Sequence, residues 1–196
     1  MSNLHRPPSD VERLLSGVAD LPKAVVAPTL VAVSGLPGTG KSHFSLRLTE
    51  RLPFVIVESD ALRRVLFPAP VYSRQESFRL FKAVHQLIER LLKDGVSVIL
   101  DATNLTEDNR EYLYRIAERL GVRLILVRIE APPEVVRQRL AARGGESISQ
   151  ADWVVYEKLA LTVEAIKRRH YVVDTSGDIG PVLDKIVAEV ISQPTK

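Results

Sequence analysis

The sequence of 196 residues contains no cysteine, which excludes disulfide bonds and thiolate chemistry. It also lacks an apolar run of about 18 residues, the length that a membrane-spanning helix needs. Its first residues, MSNLHRPPSDVERLL, have no basic start followed by an apolar stretch, unlike a signal peptide. We therefore expect a cytoplasmic protein with no membrane partner.

The charge of the chain is also small, with a formal net value of +3 at pH 7. A net charge this small is compatible with a phosphorylated or nucleic-acid partner but is no evidence for one. The sequence does not indicate the oligomeric state. The length suits one well-filled core and is short for two domains. We expect an N-terminal extension over residues 1–28 and a single domain over residues 29–196.

Short apolar runs alternate with helical patterns from Thr29 onward. This alternation predicts an α/β fold, in which five parallel strands form a buried sheet between helices. Sheets of this kind bind ligands at the carboxyl ends of their strands, so the residues that follow each strand are the first candidates for a site. The predicted strands are Leu30–Ser34, Phe54–Val57, Val96–Leu100, Arg123–Ile129 and Tyr171–Val173.

Two helix predictions bear on the later argument. A long amphipathic helix is expected between Ser73, in a Ser-x-x-Glu capping pattern, and Gly95. A second helical pattern runs over residues 150–169. The buried face of the first helix is predicted to carry Phe78, Phe81, Val84, Ile88 and Leu91.

The segment GLPGTGKS fits the phosphate-binding pattern G-x-x-x-x-G-K-[ST] and stands between a predicted strand and a predicted helix. Its glycines allow tight turns that point backbone N–H groups at phosphate oxygens, and the helix adds its positive end. The Lys41 ammonium can reach the β- and γ-phosphates, and the Ser42 hydroxyl can ligate Mg²⁺. The predicted nucleotide-binding residues are Gly35, Gly38, Thr39, Gly40, Lys41 and Ser42.

Other motifs of nucleotide-hydrolysing proteins are missing from the sequence. There is no N-K-x-D segment for reading guanine and no L-S-G-G-Q-like segment. Asp101, at the end of the third strand, is followed by alanine rather than by the glutamate with which many ATPases activate water. These absences favour transfer of the phosphate to an acceptor other than water.

Asp60 comes directly after the second predicted strand, at the edge of the sheet where the phosphate loop is expected. A carboxylate there can accept the proton of an attacking hydroxyl as a general base. Arg63 lies one helical turn further on and can hold an anionic group of the acceptor. The alternative for Asp60 is a helix N-cap, and the two roles are compatible.

Asp101 is the candidate metal residue together with Ser42, because a carboxylate at this strand end can support Mg²⁺ directly or through water. The alternative is an aspartate that caps or turns the chain. Thr103 and Asn104 follow it and either line the acceptor site or shape the turn, and the sequence does not decide between these roles.

Arg139 and Arg143 are spaced four residues apart on a predicted helix, so they share a face. Because a glycine pair follows them, we predict a short helical lid over about residues 137–150 whose arginines act on the transferring phosphate. A solvated basic helix face is the alternative.

These motifs resemble those of the P-loop kinases of the polynucleotide 5′-hydroxyl kinase group, which includes zeta-toxin-like and AAA-domain predicted kinases. The resemblance covers residues 30–175 and rests on GLPGTGKS, ESDALRR, ILDATNLTEDNR, RQRLAARGG and DWVVYEKL, in that order. It implies a P-loop NTPase fold of the nucleotide-kinase type, with ATP and Mg²⁺ held by Lys41 and Ser42. It further implies that Asp60 is the general base, that Arg63 contacts an acceptor phosphate, and that Arg139 and Arg143 act on the donor phosphates.

The sequence therefore predicts an ATP- and Mg²⁺-dependent kinase whose acceptor is a hydroxyl, with a nucleic-acid 5′ end as the leading choice. A kinase acting on a sugar, an antibiotic or a nucleotide is the first alternative. A nucleotide-binding regulator with negligible transfer is the second.

Overall fold

The computed structural model describes residues 8–18, 21–144 and 150–192, with the side chains of 143, 144 and 150–152 excepted. Across these residues, strands alternate with helices as the sequence predicts. The strands are β1 (Thr29–Ser34), β2 (Phe54–Glu58), β3 (Ser97–Asp101), β4 (Arg123–Glu130) and β5 (Tyr171–Asp174). The helices are α1 (Asp10–Ser16), α2 (Lys41–Thr49), α3 (Ser59–Leu66), α4 (Arg74–Lys93), α5 (Glu107–Leu120), α6 (Pro133–Gly144), α7 (Gln150–Ala160) and α8 (Gly180–Ile191).

The five strands form one sheet in the order β2-β3-β1-β4-β5, and every neighbouring pair is parallel. This confirms the predicted five-stranded parallel sheet. β1 is the central strand and all six of its residues are buried. Such a strand has to be apolar on both faces, which explains its continuous run of apolar residues.

The register of the central strands brings their carboxyl ends to one level. Asp101, the last residue of β3, is aligned with Val33 of β1 on one side and with Glu58 of β2 on the other. The segments that follow β1, β2 and β3 therefore leave the sheet side by side. They carry the phosphate loop, Asp60 and the Thr103–Asn104 segment, respectively.

Helices cover both faces of the sheet. One face packs against residues of α1, α3, α4 and α5, and the other against residues of α2 and α8. The N-terminal helix is part of this packing, because Leu14 is fully buried among residues of the first face. This helix begins with a capping box: Ser9 accepts the N–H of Glu12, whose side chain accepts the N–H of Ser9. In the described ranges, no helix combines the length and the apolar character that crossing a bilayer requires.

Several predicted boundaries and environments are wrong. α7 ends at Ala160, so residues 161–169 do not continue the predicted helix. The alternative role of Asp60 as an N-cap does not hold, because α3 begins at Ser59 with Glu58 at the cap position. Asp101 does not cap α5, whose N-cap is Thr106. Phe78, expected on the buried face of α4, is 71% exposed.

Candidate active site

The phosphate loop lies between the end of β1 and the start of α2. Gly38 and Gly40 have φ angles of +78° and +98°, values that glycine adopts more easily than other residues. Because α2 begins directly at Lys41, the loop leads into the N-terminal end of that helix. Its first N–H groups have no intrahelical acceptors and suit a phosphate.

Close packing around the loop also requires glycine. A Cβ atom at position 35 would lie 2.5 Å from the carbonyl oxygen of Ile129, and one at position 40 would lie 2.9 Å from the Thr175 hydroxyl. A side chain at Gly35 would therefore displace the neighbouring backbone, and one at Gly40 would crowd the Thr175 side chain.

The side chains of the loop contact its own backbone. The Lys41 ammonium donates a hydrogen bond of 2.9 Å to the carbonyl of Leu36, and the buried Thr39 hydroxyl donates one of 2.8 Å to the same oxygen. Lys41 therefore reaches back across the loop, over the surface on which phosphates would bind. Ser42 is exposed at the start of α2, where its hydroxyl is accessible to a cation.

The candidate metal site offers a hydroxyl and a carboxylate, both of which are oxygen ligands of the type that Mg²⁺ prefers. Asp101 is 3% exposed at the end of β3, next to β1, from which the loop with Ser42 continues. Among the residues that the structure describes, no three His, Cys, Asp or Glu side chains form a metal-binding group. A cation here would depend on the hydroxyl, the carboxylate and phosphate oxygens of a nucleotide, the arrangement that Mg²⁺ commonly has with substrate phosphates.

The two predicted acceptor-site residues lie on α3 in different environments. Asp60 is exposed in the first turn, while Arg63 is only 6% exposed. The Arg63 guanidinium is 3.7 Å from the Glu76 carboxylate and donates a hydrogen bond of 3.3 Å to the Ser77 hydroxyl. Its Cζ atom lies 4.7 Å from the centre of the Tyr72 ring. Arg63 thus connects α3 to the start of α4, which was not expected from the sequence.

The Arg63 guanidinium has donor atoms that could bind a further group. Within the described part of the chain, its Nε and Nη1 atoms are buried and have no hydrogen-bond partner, although Nη1 belongs to the ion pair with Glu76. Tyr72, which stacks on the guanidinium, has a φ angle of +55°, an uncommon value for a bulky residue. The segment before α4 is therefore held in a strained conformation over Arg63.

Of the two predicted lid arginines, Arg139 lies at the phosphate loop. It donates hydrogen bonds of 2.7 Å to both the hydroxyl and the carbonyl of Thr175, and one of 3.3 Å to the carbonyl of Thr39. The Thr175 hydroxyl in turn donates to the same Thr39 carbonyl. Arg139 therefore ties the segment after β5 to the loop. The Arg143 side chain and residues 145–149 of the predicted lid lie outside the described residues.

The segment after β3 braces the other side of the loop. The Thr103 carbonyl accepts the N–H of Gly35 at 3.0 Å, and the buried Asn104 amide donates to the carbonyl of Val33 at 2.7 Å. Asn104 has a φ angle of +45°, which asparagine tolerates better than most residues. Both residues therefore shape this turn, one of the two roles that the sequence left open.

Arg110 has a role in the site that sequence reasoning did not identify. Its side chain is 1% exposed and is ion-paired with Glu107 at 2.9 Å. It donates hydrogen bonds to four backbone carbonyls, those of Asn104, Leu105, Glu164 and Ala165. Arg110 thereby fixes the turn that braces the phosphate loop. Its position after DATN was the only available signal, because backbone carbonyls leave no mark in a sequence.

A cavity of about 340 Å³ adjoins the loop on the side of β4 and β5. Its lining includes Leu36, Thr39, Tyr156 and Asp174. Hydrogen bonds from the side chain and backbone of Ser176 lower the pKa of Asp174, so this carboxylate stays ionised at neutral pH.

Comparison with known proteins gives the context of this site. A family model described as an AAA domain matches residues 30–166, well over half of the chain. The L-seryl-tRNA(Sec) kinase of Methanococcus maripaludis is 28% identical over 134 residues, which cover 66% of this chain and 51% of that protein. The chain thus aligns with about half the length of this relative.

Solved structures of kinases share the fold. A Mycobacterium tuberculosis APS kinase CysC, in complex with AMPPNP and APS, has a TM-score of 0.65 at 14% identity, covering 85% of this chain and 99% of that one. The Pnkp1/Rnl/Hen1 RNA repair complex contains a chain with a TM-score of 0.60 at 23% identity, covering 71% of this chain and 45% of that one. At these identities the likeness concerns the fold alone.

Proposed function

We propose that this chain, which belongs to the AAA domain family, is a kinase that transfers the γ-phosphate of ATP to a hydroxyl group. The observation that carries the proposal is the placement of the phosphate loop and Asp60 at the same edge of the sheet. The loop follows β1, Asp60 follows β2, and only β3 lies between these strands. A donor phosphate in the loop would then face a carboxylate that water can reach.

In the proposed reaction, the acceptor hydroxyl gives its proton to the Asp60 carboxylate as its oxygen bonds to the γ-phosphorus. The bond between that phosphorus and the β,γ-bridging oxygen breaks, and ADP leaves. A general base in this position contributes roughly 10²–10⁴-fold in rate. Lys41 and the backbone N–H groups of the loop would stabilise charge on the phosphates, and Arg139 would hold the loop in shape. Mg²⁺, bound near Ser42 and Asp101, would neutralise phosphate charge.

The leading acceptor in this proposal is a nucleic-acid 5′-hydroxyl. Support comes from the shared fold with a chain of an RNA repair complex. The matched L-seryl-tRNA(Sec) kinase is named for an acceptor that a tRNA carries, although that acceptor is a seryl hydroxyl rather than a 5′-hydroxyl. Arg63 supplies buried donor atoms near Asp60 for a phosphate of the acceptor strand. To bind such a phosphate, Arg63 would have to exchange part of its interaction with Glu76.

A small-molecule acceptor is the second candidate. Its support is the fold shared, over nearly the whole length of the other chain, with an APS kinase that binds APS. An acceptor of that size needs no extended basic surface, in keeping with the small net charge of this chain.

An acceptor screen with γ-³²P-labelled ATP tests the proposal. The substrates are 5′-hydroxyl DNA and RNA oligonucleotides, nucleosides, sugars and adenylyl sulfate. We expect label at the oligonucleotide 5′ ends. Label in small molecules alone would select the second candidate. ATP binding without transfer to any acceptor would refute the kinase proposal and favour a nucleotide-binding regulator.

Two aspartate variants, measured in the same assay, test whether Asp60 is the general base. We expect Asp60→Asn to lower transfer by at least about 10²-fold while ADP affinity stays within a few-fold. Asp108→Asn is the matched control, because Asp108 is also an exposed aspartate in the first turn of a helix, α5. Equal transfer by the two variants would remove Asp60 as the base. Lys41→Ala should lose both nucleotide binding and transfer.

A further inference from the structure

A groove of about 700 Å³ runs between α4 and α5 and has no part in the function described so far. We name it the α4–α5 groove. Four rings line it, those of Phe78, Phe81, His85 and Tyr112, together with polar residues that include Lys82 and Asn104. Phenylalanine, tyrosine and tryptophan together make up only 6% of this sequence, so three of them in one groove, beside His85, are a notable concentration.

Two residues of the groove contact elements of the proposed transfer site. Asn104, which lines it, donates a hydrogen bond to Val33 at the end of the strand that leads into the phosphate loop. Ser77, another lining residue, accepts a hydrogen bond from Arg63, on the helix that carries Asp60. A molecule whose hydroxyl reached Asp60 could therefore extend from the sheet edge into the groove.

The rings offer flat apolar faces with little charge. Tyr112 and His85 are stacked, with centroids 5.0 Å apart and planes at 17°, and the Phe81 ring lies 6.2 Å from His85. Burial lowers the pKa of His85 to about 4, so its ring is neutral at physiological pH. Phe78 and Tyr112 remain 71% and 55% exposed. These surfaces suit a flat aromatic group more than they suit a sugar, which needs many hydrogen-bonding partners.

We propose that the α4–α5 groove binds a nucleobase of the acceptor, stacked against Phe78 and Tyr112, with the Lys82 ammonium available to an adjacent phosphate. The proposal rests on the proposed kinase function and deepens it, because it specifies an acceptor that carries a base. Stacking on an aromatic side chain tolerates every base, so we expect little sequence preference.

The test compares two 5′-hydroxyl oligonucleotides that carry a fluorophore at the 3′ end. One has a normal 5′-terminal nucleotide, the other an abasic one, and binding is followed by fluorescence anisotropy. The wild-type protein should bind the normal end roughly tenfold tighter than the abasic end. Phe78→Ala should reduce this ratio to near one, while Phe78→Trp should retain it. Equal ratios in the wild type and in Phe78→Ala would overturn the proposal.

Ile191→Ala is the matched control, because Ile191 is a 70% exposed apolar residue at the end of α8 and does not line the groove. It should keep the wild-type ratio, and an equal loss in this variant would also overturn the proposal. Because Phe78 is exposed, the urea midpoint of Phe78→Ala should equal that of the wild type. A different outcome would show that the groove is a contact between two copies of the chain. In that case sedimentation would depend on protein concentration, Phe78→Ala would abolish this dependence, and the affinity ratio between normal and abasic ends would not change. This result would refute base binding.

Two further arms identify the source of the base and separate the two proposals. Free nucleosides compete with the labelled oligonucleotide only weakly if the base belongs to a polynucleotide, and strongly if a nucleoside is itself the acceptor. Base-dependent binding without phosphate transfer would support the groove and refute the kinase function. Transfer to 5′ ends that is identical for normal and abasic termini would support the kinase function and refute the groove.

Discussion

Arg110 offers a sharp test of how the site is held, because a fully buried cation contacts backbone on two sides of a turn. We consider Arg110→Met, which keeps a long apolar stem but removes the guanidinium. The variant loses the ion pair with Glu107 and leaves four carbonyl groups without their shared donor. Methionine fills much of the same volume, so the loss of polar contacts should dominate over any cavity.

The size of the effect follows from these contacts. Each hydrogen bond to a charged group contributes about 1.5–3 kcal/mol. The ion pair adds less than a fully buried pair would, because the Glu107 side chain is 25% exposed. Since these contributions overlap and the free carbonyls can bind water, we expect the free energy of unfolding to fall by about 3–5 kcal/mol. With urea m-values of about 1–3 kcal/mol/M, the unfolding midpoint should fall by roughly 1–5 M.

Arg115→Met on the same helix is the control. Arg115 is also ion-paired with a glutamate, Glu111, at 3.2 Å, but its side chain is 70% exposed. Exposed pairs contribute about 0–1 kcal/mol, so this midpoint should hardly move. The assay is urea unfolding followed by circular dichroism. If both variants unfold within about 0.5 kcal/mol of each other, Arg110 does not hold the turn as we describe.

Three further predictions concern the site and its surroundings. Gly40→Ala should lower ADP affinity in calorimetry by at least tenfold, because its Cβ would crowd the Thr175 hydroxyl at a φ angle of +98°, and unchanged affinity would contradict this. Since burial lowers the pKa of His85 to about 4, the folded state binds fewer protons than the unfolded state. Stability should therefore be full above about pH 6.5 and fall towards pH 4, by at most about 1.4 kcal/mol per pH unit. His85→Gln should remove this slope from urea midpoints measured between pH 7 and 5. Arg139→Lys should retain the charge but lose the paired hydrogen bonds to Thr175, which should lower phosphate transfer more than Arg137→Lys does.

Much of the fold was predictable because each strand carries its own signal. A buried parallel strand needs apolar residues on both faces, and a phosphate loop needs glycine at fixed positions, so local sequence identifies both. The helix predicted over residues 150–169 shows the limit. After Ala160 the N–H of Glu164 bonds to the carbonyl of Leu105 rather than to a helical neighbour. A hydrogen bond between residues 59 positions apart replaces the local helical hydrogen bond, and the periodicity of apolar residues gives no information about such a contact.

The proposed active site was predictable to a similar degree. The alignment of Val33, Asp101 and Glu58 in the sheet follows from parallel order, so residues just after the strand ends could be chosen as candidates. The partners of Arg63 and Arg139 could not be predicted, because these arginines contact residues 14 and 36 positions away on other elements, beyond the reach of local spacing. Charge and spacing identify an arginine as a candidate, but only the packed chain determines which groups it holds.

The wrong prediction for Phe78 also has a physical reason. α4 carries two apolar stripes, and treating both as one buried face placed Phe78 in the core. The buried stripe is entirely aliphatic and consists of Leu80, Ala83, Val84, Leu87, Ile88, Leu91 and Leu92. The second stripe is aromatic, with Phe78, Phe81 and His85 at spacings of three and four residues, so its members share a different face of the helix.

The difference in residue type between the two stripes matches a difference in role. Aliphatic side chains fill the interior against the sheet, whereas the aromatic stripe faces the α4–α5 groove and meets Tyr112 of α5. Leaving a phenylalanine in water forgoes about 1.5–3 kcal/mol of burial free energy, which a ligand that covered the ring could recover. The stripe that contributes less to folding is therefore the one with surface left to contribute to binding.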